Sequence, residues 1–176
     1  IDKPLTIRAR SYENGDWSAL TEATFTTGAA AGPENLVISE IHYNPAGTSE
    51  DGEFIELFNI SDTQISLAGV RFSEGIHYEF SAQQMLAAGE HLTLTPSEYT
   101  GQLDNGGETI TILAGDDSII RDFRYDDSAP WPASTDGTGH SLVLANPASN
   151  PDHSLAMNWL PGNVPGGSPG TDARIC

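Results

Sequence analysis

Hydrophobic and polar residues alternate in short runs along most of the chain, and each run ends at Gly, Pro, Asn or Asp. LTIRA and ATFT alternate on either side of Asn14-Gly15, the dipeptide of a two-residue hairpin turn. From Leu36 onward strand-like runs recur at 36–43, 53–58, 69–72, 76–80, 90–95, 108–114, 118–125 and 140–145, with a last one near 154–159. Turn signals separate them, among them Asn44-Pro45, Asp104-Asn105-Gly106-Gly107 and Asp136-Gly137. No helical period persists, and SAQQMLAAG at 81–89 is too short to stand alone as a helix. About eight short strands at this spacing predict an all-β sandwich. GAAAGPEN at 28–35 reads as a linker, and PGNVPGGSPGTDARIC, without periodicity, is expected to be irregular and frayed. No apolar run approaches the roughly 20 residues that span a bilayer, so no membrane insertion is expected.

Two runs break the simple pattern. In GEFIELFN, Glu56 alternates with Phe54 and Phe58; in LVISEIHYNP, Glu40 alternates with Leu36 and Ile38. A carboxylate placed among core-facing hydrophobes must be paired, protonated or bound to a metal. Arg71, in a nearby strand, and Arg121 or Arg124, in DSIIRDFRYDD, are the candidate counter-ions, with capping of backbone donors as the other structural solution. An ion site or an exposed ligand surface are the functional alternatives.

Composition then narrows the classes. The net charge is −18, with Lys3 the sole lysine beside six arginines. So few cations cannot build a basic patch, which excludes nucleic acid and anionic membranes as natural partners. Cys176 is the single cysteine, too few for an internal disulfide or a zinc set. GHSL at 139–142 lacks the glycine of a serine-hydrolase elbow, since Val143 occupies that place. The five histidines, His42, His77, His91, His140 and His153, form no metalloprotease spacing. No catalytic constellation is therefore predicted.

Calcium is the one candidate cofactor. Glu50, Asp51 and Glu53 lie in one acidic loop, and Asp126 and Asp127 in another. No EF-hand spacing occurs, and Asp, Asn and Ser in turns also bond their own backbone. Trp131, stiffened by Pro130 and Pro132, reads as a lid over the core or as a ligand platform; Tyr43 and Asp136 are further binding candidates. Exposed aromatic pairs drawn from Tyr43, Tyr78, Tyr99 and Trp131 would favour a glycan surface.

LVISEIHYNP, GEFIELFNISDTQISLAGVRFSEG, PWPASTDGTGHSLVL, NW and GGSPG occur in one order, and together they resemble the lamin-tail domain. The resemblance covers about residues 36 to 170 and implies an immunoglobulin-like β-sandwich. It implies membership in bacterial secreted or surface-attached multidomain proteins, where such domains sit beside hydrolase, nuclease or spore-coat-kinase-like domains. LTIRARSYENGDWSALTEATFTTG looks like the closing hairpin of the small immunoglobulin-like modules at the C-termini of some chitobiases. The expected division is a partial hairpin at 1–27, a linker at 28–35, the sandwich at 36–170 and a tail at 171–176. Ile1 begins mid-pattern and no signal peptide is visible, so an excised piece of a longer protein is expected. The expected function is a non-catalytic binding or spacer module whose partner is a protein or cell-surface polymer. Its first rival is a calcium-stabilised carbohydrate-binding or adhesion module; a hydrolase domain and a chromatin-binding role are the others. A two-stranded hairpin is marginal alone, so residues 5–26 are expected to pack on the sandwich or to pair with a second copy in a homodimer.

Overall fold

Leu36, Ile38, Ile55 and Leu57 project into the same interior as Phe72, Ile110 and Ile112, and this shared core holds two antiparallel sheets face to face. A computed structural model describes residues 5–25, 28–47 and 52–171. The N-terminal hairpin comprises β1 (Leu5–Ala9), β2 (Tyr12–Glu13), β3 (Asp16–Trp17) and β4 (Thr21–Phe25). β5 (Ala29–Ala30), β6 (Leu36–His42), β7 (Phe54–Asn59), β8 (Ile65–Ser66) and β9 (Arg71–Glu74) follow. The remaining strands are β10 (Ile76–Glu79), β11 (Met85–Leu86), β12 (His91–Leu94), β13 (Thr100–Gly101), β14 (Thr109–Leu113), β15 (Ile119–Arg124), β16 (Leu142–Leu144) and β17 (Trp159–Pro161). One sheet runs β13-β10-β9-β14-β15, the other β12-β7-β6-β16-β17, and β11-β8-β5 forms a small third sheet. The molecule is an immunoglobulin-like all-β sandwich, as the strand spacing and the resemblance predict. Among the described residues no helix is long and apolar enough to cross a membrane.

The long strands sit where the alternation places them; the two-residue strands β5, β8, β11 and β13 give too little pattern to be read. The expected run at 154–159 is instead a 3₁₀ turn over Ala156–Asn158 leading into β17. Residues 28–31 do not form a linker. Ala29 and Ala30 pair in parallel with Ile65 and Ser66, Ala31 is buried, and Asn35 ties Gly32 N–H to its side-chain oxygen at 2.8 Å.

One irregularity decides the chemistry of the second sheet. Ile38 pairs with Leu57, but Glu40 pairs with Glu56, so Ser39 is an extra residue in β6. Such a bulge shifts the alternation by one position. Leu36 and Ile38 face the core before it, Ile41 and Tyr43 after it. Glu40 consequently does not share a face with Leu36 and Ile38, as simple alternation predicts. It lies with Glu56 on the outer face of the sheet.

The hairpin does not pack on the sandwich as expected: residues 5–23 are all exposed. Asn14 (φ +52°) and Gly15 (φ +94°) make its turn, both in the left-handed region that such turns require. Gly107 needs that conformation for a different reason. Its φ is +89°, and a Cβ there would lie 2.4 Å from the Tyr125 carbonyl oxygen. Gly107→Ala is expected to destabilise the fold by about 3 kcal/mol through strain and displacement of the β15 exit. A thermal melt unchanged from the parent protein would contradict this.

Candidate functional site

Glu40 and Glu56 stand opposite each other on β6 and β7, both with no solvent exposure. Like charges facing across a ladder repel, and burial adds a desolvation cost. The surroundings answer with donors. Glu40 Oε1 accepts from Ser141 Oγ and from the Ser168 backbone N–H at 2.9 Å; its Oε2 accepts from Ser168 Oγ at 2.9 Å. Glu56 Oε1 accepts from Ser39 Oγ at 2.6 Å and bonds His91 Nδ1 at 2.8 Å. Its Oε2 accepts from Thr93 Oγ1 at 3.3 Å and from the Gly170 N–H at 2.5 Å. Register explains the supply: Thr93 is Glu56's partner on β12, and Ser141 directly precedes β16 beside β6. Burial holds the Glu40 carboxyl above the usual carboxylate range, with the serine donors pulling it back.

The segment GGSPG, residues 166–170, crosses this face as a strap. Its composition follows from the geometry. Gly167 has φ +74°, and a Cβ there would meet the Phe54 ring at 2.6 Å and Glu40 Oε1 at 2.7 Å. Ser168 supplies two donors at once, and Gly170 one. The tail is irregular in backbone, as expected, but up to Gly170 it is anchored rather than frayed; residues 172–176, with Cys176, lie outside the described residues.

Among the described residues no arginine bonds either acid. Arg71 pairs with Asp117, and Arg124 Nε lies 3.4 Å from Asp126, so the expected arginine pairing of Glu40 and Glu56 is replaced by hydroxyl, imidazole and backbone donors. The same crowd of donors makes the pocket hostile to a cation, which needs free lone pairs.

The other expected sites come apart in the same way. Glu53 is buried, with Oε2 accepting from Leu103 N–H at 3.2 Å and Tyr99 hydroxyl at 3.5 Å. Asp126 accepts from Ser128 N–H at 3.0 Å and Asp127 from Ser128 Oγ at 2.8 Å, the self-bonding expected of turn residues. Glu50 and Asp51 lie outside the described residues. Among the described residues no group of three or more His, Cys, Asp or Glu converges to hold a metal. Tyr43 is a core residue with its hydroxyl 3.0 Å from Thr135 Oγ1, and Tyr99 is buried too, so neither forms a ligand surface. Asp136 accepts from Asn44 Nδ2 at 2.6 Å. Trp131 is half-buried against the core, 6.3 Å from the buried Trp159, and serves as a lid.

His153 is a structural residue that spacing rules did not reveal. β16 pairs with β6 only at Glu40 and Ile41, which leaves the edge of β6 open at Ile38. There His153 Nε2 accepts the Ile38 N–H at 3.2 Å while Nδ1 bonds the Pro151 carbonyl at 3.0 Å. Burial, with Arg121 nearby, lowers the imidazole to about 4. Arg121 itself bonds neutral acceptors, Pro33 O at 2.9 Å and Asn150 Oδ1 at 2.6 Å, beside a cavity of about 400 Å³.

The family model for the lamin tail domain matches residues 29–148. No curated protein and no solved structure matches the chain.

Removing Glu56 strands four donors that converge on a fully buried position. Glu56→Ala is expected to cost about 3 kcal/mol, equally in EDTA and in millimolar calcium; an unchanged melting temperature, or a loss rescued by calcium, would contradict the donor cage. For His153, the unfolded imidazole takes a proton near 6.5 and the folded one only near 4, so the unfolded state binds more protons between those values. Stability therefore falls as pH drops through that window, by up to about 3 kcal/mol. Urea midpoints at several pH values should show a shallower acid loss in His153→Gln than in the parent protein.

Proposed function

We propose, for a chain that belongs to the lamin tail domain family, a non-catalytic binding and spacing module within a larger bacterial protein, secreted or held at the cell surface. One observation carries this reading. The buried polar groups, Glu40, Glu53, Glu56 and His153, are each bonded to the chain's own backbone or hydroxyls, while large apolar side chains stand exposed on the N-terminal hairpin. Chemistry needs a reactive group with room for a substrate; recognition needs an exposed surface. Strand alternation puts Leu5, Ile7 and Ala9 on one hairpin face and Arg8, Arg10 and Tyr12 on the other. The aliphatic face suits packing against a neighbouring module or a second copy, which would orient the sandwich relative to that partner. The negative charge suits a neutral or basic partner and keeps the sandwich itself soluble.

The calcium-stabilised adhesion reading has weaker support, because Glu53, Asp126 and Asp127 already accept hydrogen bonds locally. A sedimentation assay separates the classes. Labelled protein mixed with whole bacterial cells or isolated cell-wall polymer should be retained in the pellet without releasing soluble product. Product release abolished by Glu40→Gln or Glu56→Gln would establish a hydrolase instead, and retention in neither preparation would defeat the binding reading.

A further inference from the structure

Tyr12 and Trp17 are 58% and 57% exposed, directly opposite each other across the Asn14–Gly15 turn. Their ring centroids lie 4.7 Å apart, tilted by 47°. The Arg10 guanidinium carbon sits 4.3 Å from the Trp17 ring centroid. Arg8, two residues earlier on the same face, is held by Glu22 at 2.5 Å, whereas Arg10 makes no ion pair among the described residues. The ladders also aim this group. Between Ala9↔Thr21 and Tyr12↔Trp17, residues 10–11 face residues 18–20, so the returning strand carries one extra residue and the tip is turned relative to the stem.

Hairpin stability does not require this arrangement. A cross-strand pair of β-branched residues contributes a comparable amount, roughly 0.2–1 kcal/mol, without leaving two rings in water. The polar group beside the rings on their own face is the Arg10 guanidinium, a donor; Glu13 and Asp16, the next ladder pair, lie on the opposite face. Charge narrows the ligand. A polyanion meets the field of a chain at −18. A cation meets Arg10 at the site itself. A neutral molecule with a flat C–H face and a rim of hydroxyls matches both the rings and the guanidinium beside them.

We infer that Tyr12, Trp17 and Arg10 form a binding site for a neutral pyranose unit of a glycan. This rests on the reading of the chain as a binding module and names the ligand class of its hairpin tip. The sugar stacks on the exposed rings, and its hydroxyls accept from the Arg10 guanidinium.

The test is affinity electrophoresis of the full chain through gels cast with hydroxyethyl cellulose or glycol chitin, two soluble neutral polysaccharides. The parent protein should be retarded by at least one of them, and molar salt should not release it. Trp17→Val, which keeps a strand-forming residue but removes the ring, should weaken retardation about tenfold, with Tyr12→Val as the second variant and an unchanged sandwich melt as the folding control. No retardation of the parent protein overturns the inference, as does retardation equal in parent and both variants. Retention on cells with no retardation in either gel leaves the binding-module reading intact and overturns the glycan assignment alone. Tip variants that abolish retention on protease-sensitive cell components, with no effect in the gels, make the partner of the rings a protein.

Discussion

A carboxylate withdrawn from water must find donors, and this requirement organises the second sheet. Glu40 and Glu56 face each other where a purely apolar pair would pack without cost. Their presence explains features that otherwise look unrelated: a serine in the bulge, a threonine opposite Glu56, a serine before β16 and a glycine-rich strap that donates twice from Ser168 and once from the Gly170 amide. Removing any one of these takes a donor from an acid that is itself fully buried. The sandwich core holds the two sheets together, but the acids determine what lies on the far side of one of them.

The larger part of the architecture was legible in the alternation, because long strands carry enough period to be seen. β6, β7, β14 and β15 fall within a residue or two of their expected limits. The short strands were not legible, since two residues hold no period. Simple alternation misplaces Glu40 for one reason: a single inserted residue, Ser39, shifts the period, and a bulge leaves no mark in composition. Alternation marks both acids as residues that need partners, and the arginines are the donors composition offers. Arginine is the strongest donor to a carboxylate, but reach decides, and Arg71 and Arg124 are occupied by aspartates in their own turns. The strap's role was hidden because glycine, serine and proline read as disorder unless something nearby needs their amides.

The same logic separates interior from exterior in functional terms. Tyr43 and Glu53, candidate ligands drawn from the sandwich, are buried and bonded to the chain. The surface with unmet potential lies on the hairpin, which alternation identified as a hairpin but whose two faces differ in kind. One is aliphatic, the other aromatic and cationic.

The strap has a consequence for how the protein is made. Ser168 bonds a residue 128 positions earlier, and Gly170 one 114 positions earlier. On a ribosome, Glu40 and Glu56 emerge long before the segment that satisfies them. The second sheet is itself complete only with β17, and until the strap that follows it is released two acids still reach for water and the outer face of the sheet is uncovered. Completion is signalled by a hydrogen-bonded closure rather than by burial of more hydrophobic surface. A domain ending before the strap would retain its core and yet leave two acids short of donors on one face.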